Sequence, residues 1–227
     1  MNQKKVGLVG LGKLGTAMLT HWDQQRISIG LYHPNRTKAE QCVQHYQTSY
    51  LLKEEDLSEL DVLILALPAM EVIPFISSLK LQSKTQHSPY IINMATNLPT
   101  NEMRNTFSTL NVHGIKYMGH ARDLLEHGNG LFISETVIPS IVEEYFNFLG
   151  KIVVDSEESL TQVNKIATYY ALKTAINLEN EFAKKGLSSE YLQRALASLA
   201  PEVIRSYSEG SLGHFAKEIV KQIHEEK

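Results

Sequence analysis

The chain has 227 residues, of which 43% are hydrophobic and 21% charged, the balance of a soluble globular protein. Its 22 Lys+Arg against 25 Asp+Glu give a net charge of -3, without the basic excess that a dedicated nucleic-acid binder needs. One cysteine, Cys42, excludes an internal disulfide framework and a cysteine-built metal site, and no run approaches the ~18 apolar residues of a membrane span.

Val6-Gly7-Leu8-Val9 is a short apolar run that ends at Gly10. The turn Gly10-Leu11-Gly12-Lys13-Leu14-Gly15 follows, and then Ala17, Met18, Leu19 and Trp22 at helical spacing. This reads as strand, glycine turn, helix. Ile27 to Tyr32 reads as the strand that closes the first strand–helix–strand unit. Asp61 to Leu67 is almost wholly apolar, as a strand covered on both faces must be. Pro89 to Met94 and Ile115 to Met118 predict further strands. Leu131 to Ile133 and Lys151 to Val154 predict shorter ones. Strands alternating with helices predict an α/β fold with a doubly wound, Rossmann-type sheet. Beyond Asp155 only helical periodicity remains. One helix is expected from about Leu160 to Lys185, stopped by Gly186, with Ser188 or Ser189 capping the next. Pro201 is expected to break or kink that one. Leu212, Phe215, Ala216, Ile219, Val220 and Ile223 then form an apolar stripe. The expected organisation is a nucleotide-binding domain over 1–155 and a smaller all-helical domain over 156–227, which serves the substrate and a homodimer contact. Glu225-Glu226-Lys227 is expected to fray. The short N-terminal apolar run lacks the core of a signal peptide, so a cytoplasmic setting is expected.

The glycine turn carries the strongest chemistry. Gly10 permits the tight turn, Gly12 lets backbone approach a pyrophosphate, and Gly15 allows close helix–strand packing. The free N–H groups at the helix start, with Leu11, Lys13 and Leu14, then hold the phosphates. An NAD site usually places Asp or Glu after the second strand to hold the ribose 2′-hydroxyl. Here that place reads His33-Pro34-Asn35-Arg36-Thr37, with no acid. A carboxylate would repel a 2′-phosphate, whereas Arg36 can hold it, with Asn35 and Thr37 adding neutral bonds. NADP is therefore expected over NAD.

These motifs resemble the pyrroline-5-carboxylate reductase family, with its late-competence relatives. The family's Asn-Arg-(Ser/Thr) after the second strand matches Asn35-Arg36-Thr37. Its Ala-Val-Lys-Pro after the fourth matches Ala66-Leu67-Pro68, one residue shorter and without the lysine. Met118-Gly119-His120 and Gly128 stand where the family has Met-Pro-Asn and a later glycine. Leu160-Thr161, Tyr170 and Gly186-Leu187 keep their places in the helix that follows. The resemblance spans roughly residues 5–208. It implies that Ala66, Leu67 and Pro68 line the cofactor. It also implies that the enzyme transfers hydride from NADPH to the C=N or C=O bond of a small imino or keto acid, as in proline biosynthesis. The family's Ser-Gly-Ser-Gly-Pro-Ala is replaced by Asn164-Lys165-Ile166-Ala167-Thr168-Tyr169, and its later Ser-Pro-Gly-Gly-Thr-Thr has no counterpart.

A small acid needs a cation for its carboxylate, and its reduction needs a proton donor. His120 can supply the proton and Arg122 can grip the carboxylate, on a loop expected to face the nicotinamide. Thr161 keeps the family's threonine and can hydrogen-bond the substrate, with Lys165 beside it. Lys173 and Asn177 resemble the Lys-x-x-x-Asn pair of β-hydroxyacid dehydrogenases, but a solvated Lys173, or one paired with a nearby acid, is the preferred reading. Two other functions fit: a nucleotide-binding regulatory protein without catalysis, and a β-hydroxyacid dehydrogenase-like enzyme. The histidines show no metal-ligand spacing, so no metal is expected. A small-molecule substrate is expected, with neither nucleic acid nor membrane as partner.

Overall fold

The computed structural model describes residues 4–79, 81 and 88–225. Glu226 and Lys227, part of the segment expected to fray, lie outside them. The chain divides into two compact units, Met1–Asn164 and Lys165–Lys227.

The first unit is built on a six-stranded, all-parallel sheet. Its strands are β1 (Val6–Val9), β2 (Ile29–Tyr32), β3 (Ser49–Leu51), β4 (Val62–Leu65), β5 (Tyr90–Asn93) and β6 (Asn111–Gly114). They lie in the order β3-β2-β1-β4-β5-β6, so the strand order reverses between β1 and β4. Residues of β1, β4 and β5 alternate between two cores. Val6, Leu8, Val62, Ile64 and Ile92 face α1 (Lys13–Gln24). Val9, Leu63, Leu65 and Ile91 face α3 (Ala69–Ser78) and α4 (Thr100–Thr106). Helices on both sides explain why these strands are apolar on both faces, with the buried Asn93 at the end of β5 the polar exception. The doubly wound α/β fold read from the sequence is the fold observed.

The chain then forms a second, three-stranded sheet from β7 (Lys116–Tyr117), β8 (Gly130–Ser134) and β9 (Gly150–Val154). β7 runs antiparallel to β8, and β8 parallel to β9. Here the structure corrects the sequence reading. The expected strand Ile115 to Met118 is only two residues long and belongs to this second sheet. The last strand of the large sheet is β6, whose Asn111-Val112-His113-Gly114 is too polar to read as one. The edge strand β3 was equally hidden, because Tyr50 and Leu51 are exposed.

Trp22 ties the two sheets together. Its side chain is fully buried, and its indole Nε1–H donates to the Tyr145 carbonyl at 2.9 Å. Its ring meets Phe146 edge-on, with centroids 6.5 Å apart. Phe146 lies on α6 (Ser140–Phe146) and also packs on Phe132 of β8. α5 (Ala121–His127) packs beside α1, where the His21 ring meets the Leu124 carbonyl.

α7 (Glu157–Lys184) starts in the first unit and continues into the second, which also holds α8 (Ser189–Arg194), α9 (Ala200–Ser208) and α10 (His214–Glu225). Gly186, at φ +63, ends α7 in a Schellman arrangement, with Leu187 N–H on the Phe182 carbonyl. Ser188 caps α8 by accepting from the Tyr191 N–H. Pro201 does not break the chain's helical course. A π-helical turn, Ala195–Leu199, leads without a break into α9, whose second residue is Pro201. Among the described residues, no helix is long and apolar enough to cross a membrane.

Replacing Trp22 with Ala removes its packing and leaves the Tyr145 carbonyl unpaired. The variant is expected to lose about 3–5 kcal/mol of unfolding free energy, measured by circular dichroism in urea. A loss below about 1 kcal/mol would refute the central role given to this residue.

Candidate functional site

The site is set by the turn from β1 into α1. Gly10 has φ +105, and a Cβ there would overlap the Ala66 carbonyl. At Gly15 a Cβ would overlap the Gly10 carbonyl. Both positions therefore exclude any larger residue. Gly12 differs: a Cβ there meets nothing within 4 Å. Its lack of a side chain leaves open space over the helix start rather than relieving a packing clash. Gly12 is the N-cap of α1, no side chain caps the helix, and no acid stands in its first turn. The free N–H groups and the positive end of a 12-residue helix thus face an open cradle, the arrangement that holds a pyrophosphate.

The turn lies at the carboxyl ends of β1 and β4, where the strand order reverses. In open α/β sheets this crevice is the ligand-binding place. Ala66 N–H donates to the Val9 carbonyl at 2.8 Å, which brings Ala66-Leu67-Pro68 beside the glycine turn. Pro68 is the N-cap of α3.

Beyond the end of β2, Asn35 is the N-cap and Arg36 the first residue of α2 (Arg36–His45). The Asn35 N–H donates to His33 Nδ1 at 2.9 Å. Arg36, Asn35 and Thr37 are exposed. Arg36 Nε donates to Glu40 at 2.9 Å across one helical turn. Such an exposed pair is worth at most about 1 kcal/mol, so the guanidinium is free to exchange Glu40 for a better anion. Arg36 lines a cavity of about 350 Å³ with Tyr32, His33, Lys53, Glu54 and Asp56. The Tyr32 hydroxyl donates to Glu54 at 3.2 Å. Burial, with the neighbouring Glu54 carboxylate, raises the pKa of the Tyr32 phenol.

On the other side of the glycine turn the chain leaves β5 through Met94–Pro99. There the structure shows a group that the sequence reading missed. Lys116, on β7, is completely buried. Its ammonium donates to the carbonyls of Ala95 at 2.7 Å and Leu98 at 2.9 Å, and lies 3.6 Å from Glu157 of α7. Glu157 in turn accepts from the Thr100 N–H at 3.0 Å and from the Thr100 hydroxyl. A Cβ at Gly114 would overlap both the Thr100 hydroxyl and Glu157, so glycine makes the room for this network. Buried Asn93 donates to the Leu98 carbonyl and accepts from the Ala95 N–H. Burial lowers the Lys116 pKa to about 8, an effect opposed by Glu157 and Glu135. In sequence, Lys116 was only one position in a presumed strand.

Of the other predicted residues, Arg122, Thr161 and Lys165 lie on helices and His120 stands just before one. Arg122 is not on an open loop, and His120 ends the short segment between β7 and α5. They stand at the start of α5, because the His120 ring caps that helix by accepting from the Arg122 N–H at 3.3 Å. The Arg122 guanidinium pairs with Glu126 at 2.7 Å. The Thr161 hydroxyl donates to the Glu157 carbonyl of its own helix at 3.3 Å. Lys165 is exposed on α7, in the second unit. Lys173 lies over the Tyr169 ring, 5.9 Å from its centroid. Among the described residues, no group of three or more His, Cys, Asp or Glu side chains is placed to hold a metal ion.

Comparison with known proteins agrees with this geometry. A family model, the NAD binding domain of 6-phosphogluconate dehydrogenase, matches residues 5–121. No curated protein matches the chain. Among solved structures it is similar to an imine reductase from Myxococcus stipitatus in complex with NADP+ (TM-score 0.67, 11% identity, covering 91% of this chain and 78% of that one). A variant of the Myxococcus stipitatus imine reductase in complex with NAD+ gives TM-score 0.63 at 10% identity, over 92% and 78% of the two chains. A reductive aminase from Aspergillus terreus in complex with NADPH and ethyl-5-oxohexanoate gives TM-score 0.62 at 17% identity, over 92% and 79%. At these identities the likeness is one of fold.

Lys116 supplies a pH test. Its proton is held less tightly in the fold than in the unfolded chain, where lysine titrates near 10.5. Between about 8 and 10.5 the unfolded chain therefore binds more protons, and the fold gains stability as pH rises through that window. The unfolding free energy of the wild type relative to Lys116→Met is expected to increase between about pH 7.5 and about pH 10. Urea titrations at both pH values measure it, and a pH-independent difference would count against the buried charge.

Proposed function

The chain belongs to the family of the NAD-binding domain of 6-phosphogluconate dehydrogenase, and from that premise we propose that it is an NADP-dependent oxidoreductase. Its reaction is reduction of the C=N or C=O bond of a small imino or keto acid, of the type carried out by pyrroline-5-carboxylate reductases. The observation that carries this reading is the open cradle over Gly12 at an uncapped helix N-terminus, with Arg36 and no carboxylate in the first turn of α2. When bound, the nicotinamide supplies the hydride. The first N–H groups of α1 hold the pyrophosphate. Arg36 releases Glu40 and takes the 2′-phosphate, which presents more charge than a single carboxylate. Ala66, Leu67 and Pro68 border the cofactor on the β4 side. His120 gives up its capping bond to supply the proton, while Arg122 binds the substrate carboxylate and Thr161 orients it. The imine-reducing enzymes among the structural neighbours support a C=N bond as the acceptor.

One observation favours a second reading, nucleotide binding without catalysis. His120, Arg122 and Thr161 each have a hydrogen-bond or ionic partner within their own helix. The two readings part on one assay, NADPH oxidation with pyrroline-5-carboxylate and then with a panel of cyclic imines and keto acids. Turnover that falls in His120→Ala, with unchanged NADPH affinity, supports the enzyme. Absence of turnover in a sample that binds NADPH supports the regulatory protein.

A homodimer completes the proposal. In the second unit Ala195 is the one buried hydrophobic residue among the described ones. α9 and α10 leave open an apolar groove of about 280 Å³ between Val203, Ile204, Tyr207, Phe215, Ile219 and Ile223. Helices without a core of their own need a partner. A second copy carries the same apolar face, and self-complementary patches close a two-fold dimer.

Two outcomes are expected. Arg36→Glu weakens NADPH binding by about 10-fold or more while NADH binding changes little, read by cofactor fluorescence; equal losses would overturn the NADP assignment. Light scattering at micromolar concentration gives the mass of two chains, and a monomer there would refute the dimer.

A further inference from the structure

The cofactor site reads across the sheet in a fixed sense. Arg36 at the end of β2 marks the adenosine side, and the glycine turn of β1 marks the pyrophosphate. The nicotinamide side then falls at the carboxyl ends of β4 and β5. The chain there makes a tight turn, Ala95–Leu98, closed by the Leu98 N–H on the Ala95 carbonyl at 3.3 Å. Thr96 and Asn97 form its exposed tip, while Ala95 and Leu98 are buried. Met94 N–H bonds to the Leu65 carbonyl at 3.2 Å, which ties the turn to the end of β4.

We infer that Lys116 is a positioning residue for the nicotinamide side of the site: one buried ammonium clamps the carbonyls on both sides of the Thr96–Asn97 tip and holds that tip in place. The geometry is specific. Lys116 reaches Ala95 and Leu98, the two ends of the turn, and no other hydrogen-bond acceptor of the turn. Glu157 faces the ammonium from α7 and is itself held by Thr100, the first residue after the turn's Pro99. Glu135 adds a second, weaker negative charge. A charge placed in such surroundings is retained at a cost in stability. A methionine or leucine would fill the same volume but could not bind two carbonyls. The turn is therefore preformed from inside the protein, and cofactor binding need not order it. This inference rests on the dinucleotide reading of the crevice.

The test compares wild type with Lys116→Met, free of cofactor, by amide hydrogen exchange, and measures the affinities for NADPH and for 2′,5′-ADP, which is the adenosine half alone. Exchange at the Ala95 and Leu98 amides is expected to rise about 10-fold or more, with the β1 amides unchanged. NADPH affinity is expected to fall several-fold while 2′,5′-ADP affinity holds. A turn as protected as in wild type overturns the inference, as does an equal loss for both ligands. If Lys116→Met does not fold, Glu157→Gln removes the facing charge at constant size and is expected to give the same split between ligands; no split overturns it. Wild-type protein that binds neither ligand refutes the dinucleotide reading and the cofactor role of the turn together, while the exchange data still decide whether Lys116 holds it.

Discussion

Backbone meets backbone where β1 turns into α1. A Cβ at Gly10 would overlap the Ala66 carbonyl, and one at Gly15 would overlap the carbonyl of Gly10. These contacts let β1, α1 and the end of β4 converge on one point. The elements that frame the candidate nucleotide site meet at that point. The helix dipole of α1 is aimed at it, Ala66-Leu67-Pro68 is drawn beside it, and the reversal of strand order opens the crevice above it. Gly12, with free space where the other two have none, leaves the start of α1 open beside that packing.

A second constraint acts from the far side of the crevice. The first unit holds a fully buried lysine whose proton is bound to two carbonyls and balanced by a carboxylate on α7. The network joins β7, the segment after β5, the start of α4 and the start of α7. Removing one partner of such a network leaves the other charge buried and unpaired, which costs more than the pair contributes. Precision of the loop after β5 and the anchoring of the long helix thus depend on the same few atoms.

The strands with apolar residues on both faces, β1, β4 and β5, were legible because a sheet covered on both sides leaves them nearly continuous apolar runs, broken in β5 only by the buried Asn93. The same reasoning failed for β3 and β6. β3 is a solvent-facing edge, and Val112 is the one buried hydrophobic residue of β6, so neither carries a continuous apolar signal. The glycine turn was legible because its spacing encodes a geometry. Arg122 was expected on a loop but lies on α5, since a short helix capped by a histidine and an open loop look alike in sequence. Lys116 was invisible as a structural group because the carbonyls and carboxylate that hold it come from segments distant along the chain.

The sequence by itself determined the α/β architecture, the nucleotide-type turn, the absence of an acid at the end of β2, and the change to helices after Asp155. Each is a local pattern: periodicity, a glycine spacing, or one residue type at one place. The tertiary structure decided which strand belongs to which sheet, where His120 and Arg122 point their hydrogen bonds, and that a lysine rather than a hydrophobe lies at the heart of the loop after β5. Those outcomes depend on groups brought together from separate segments, and burial and electrostatics act on distance in space, which no local pattern records.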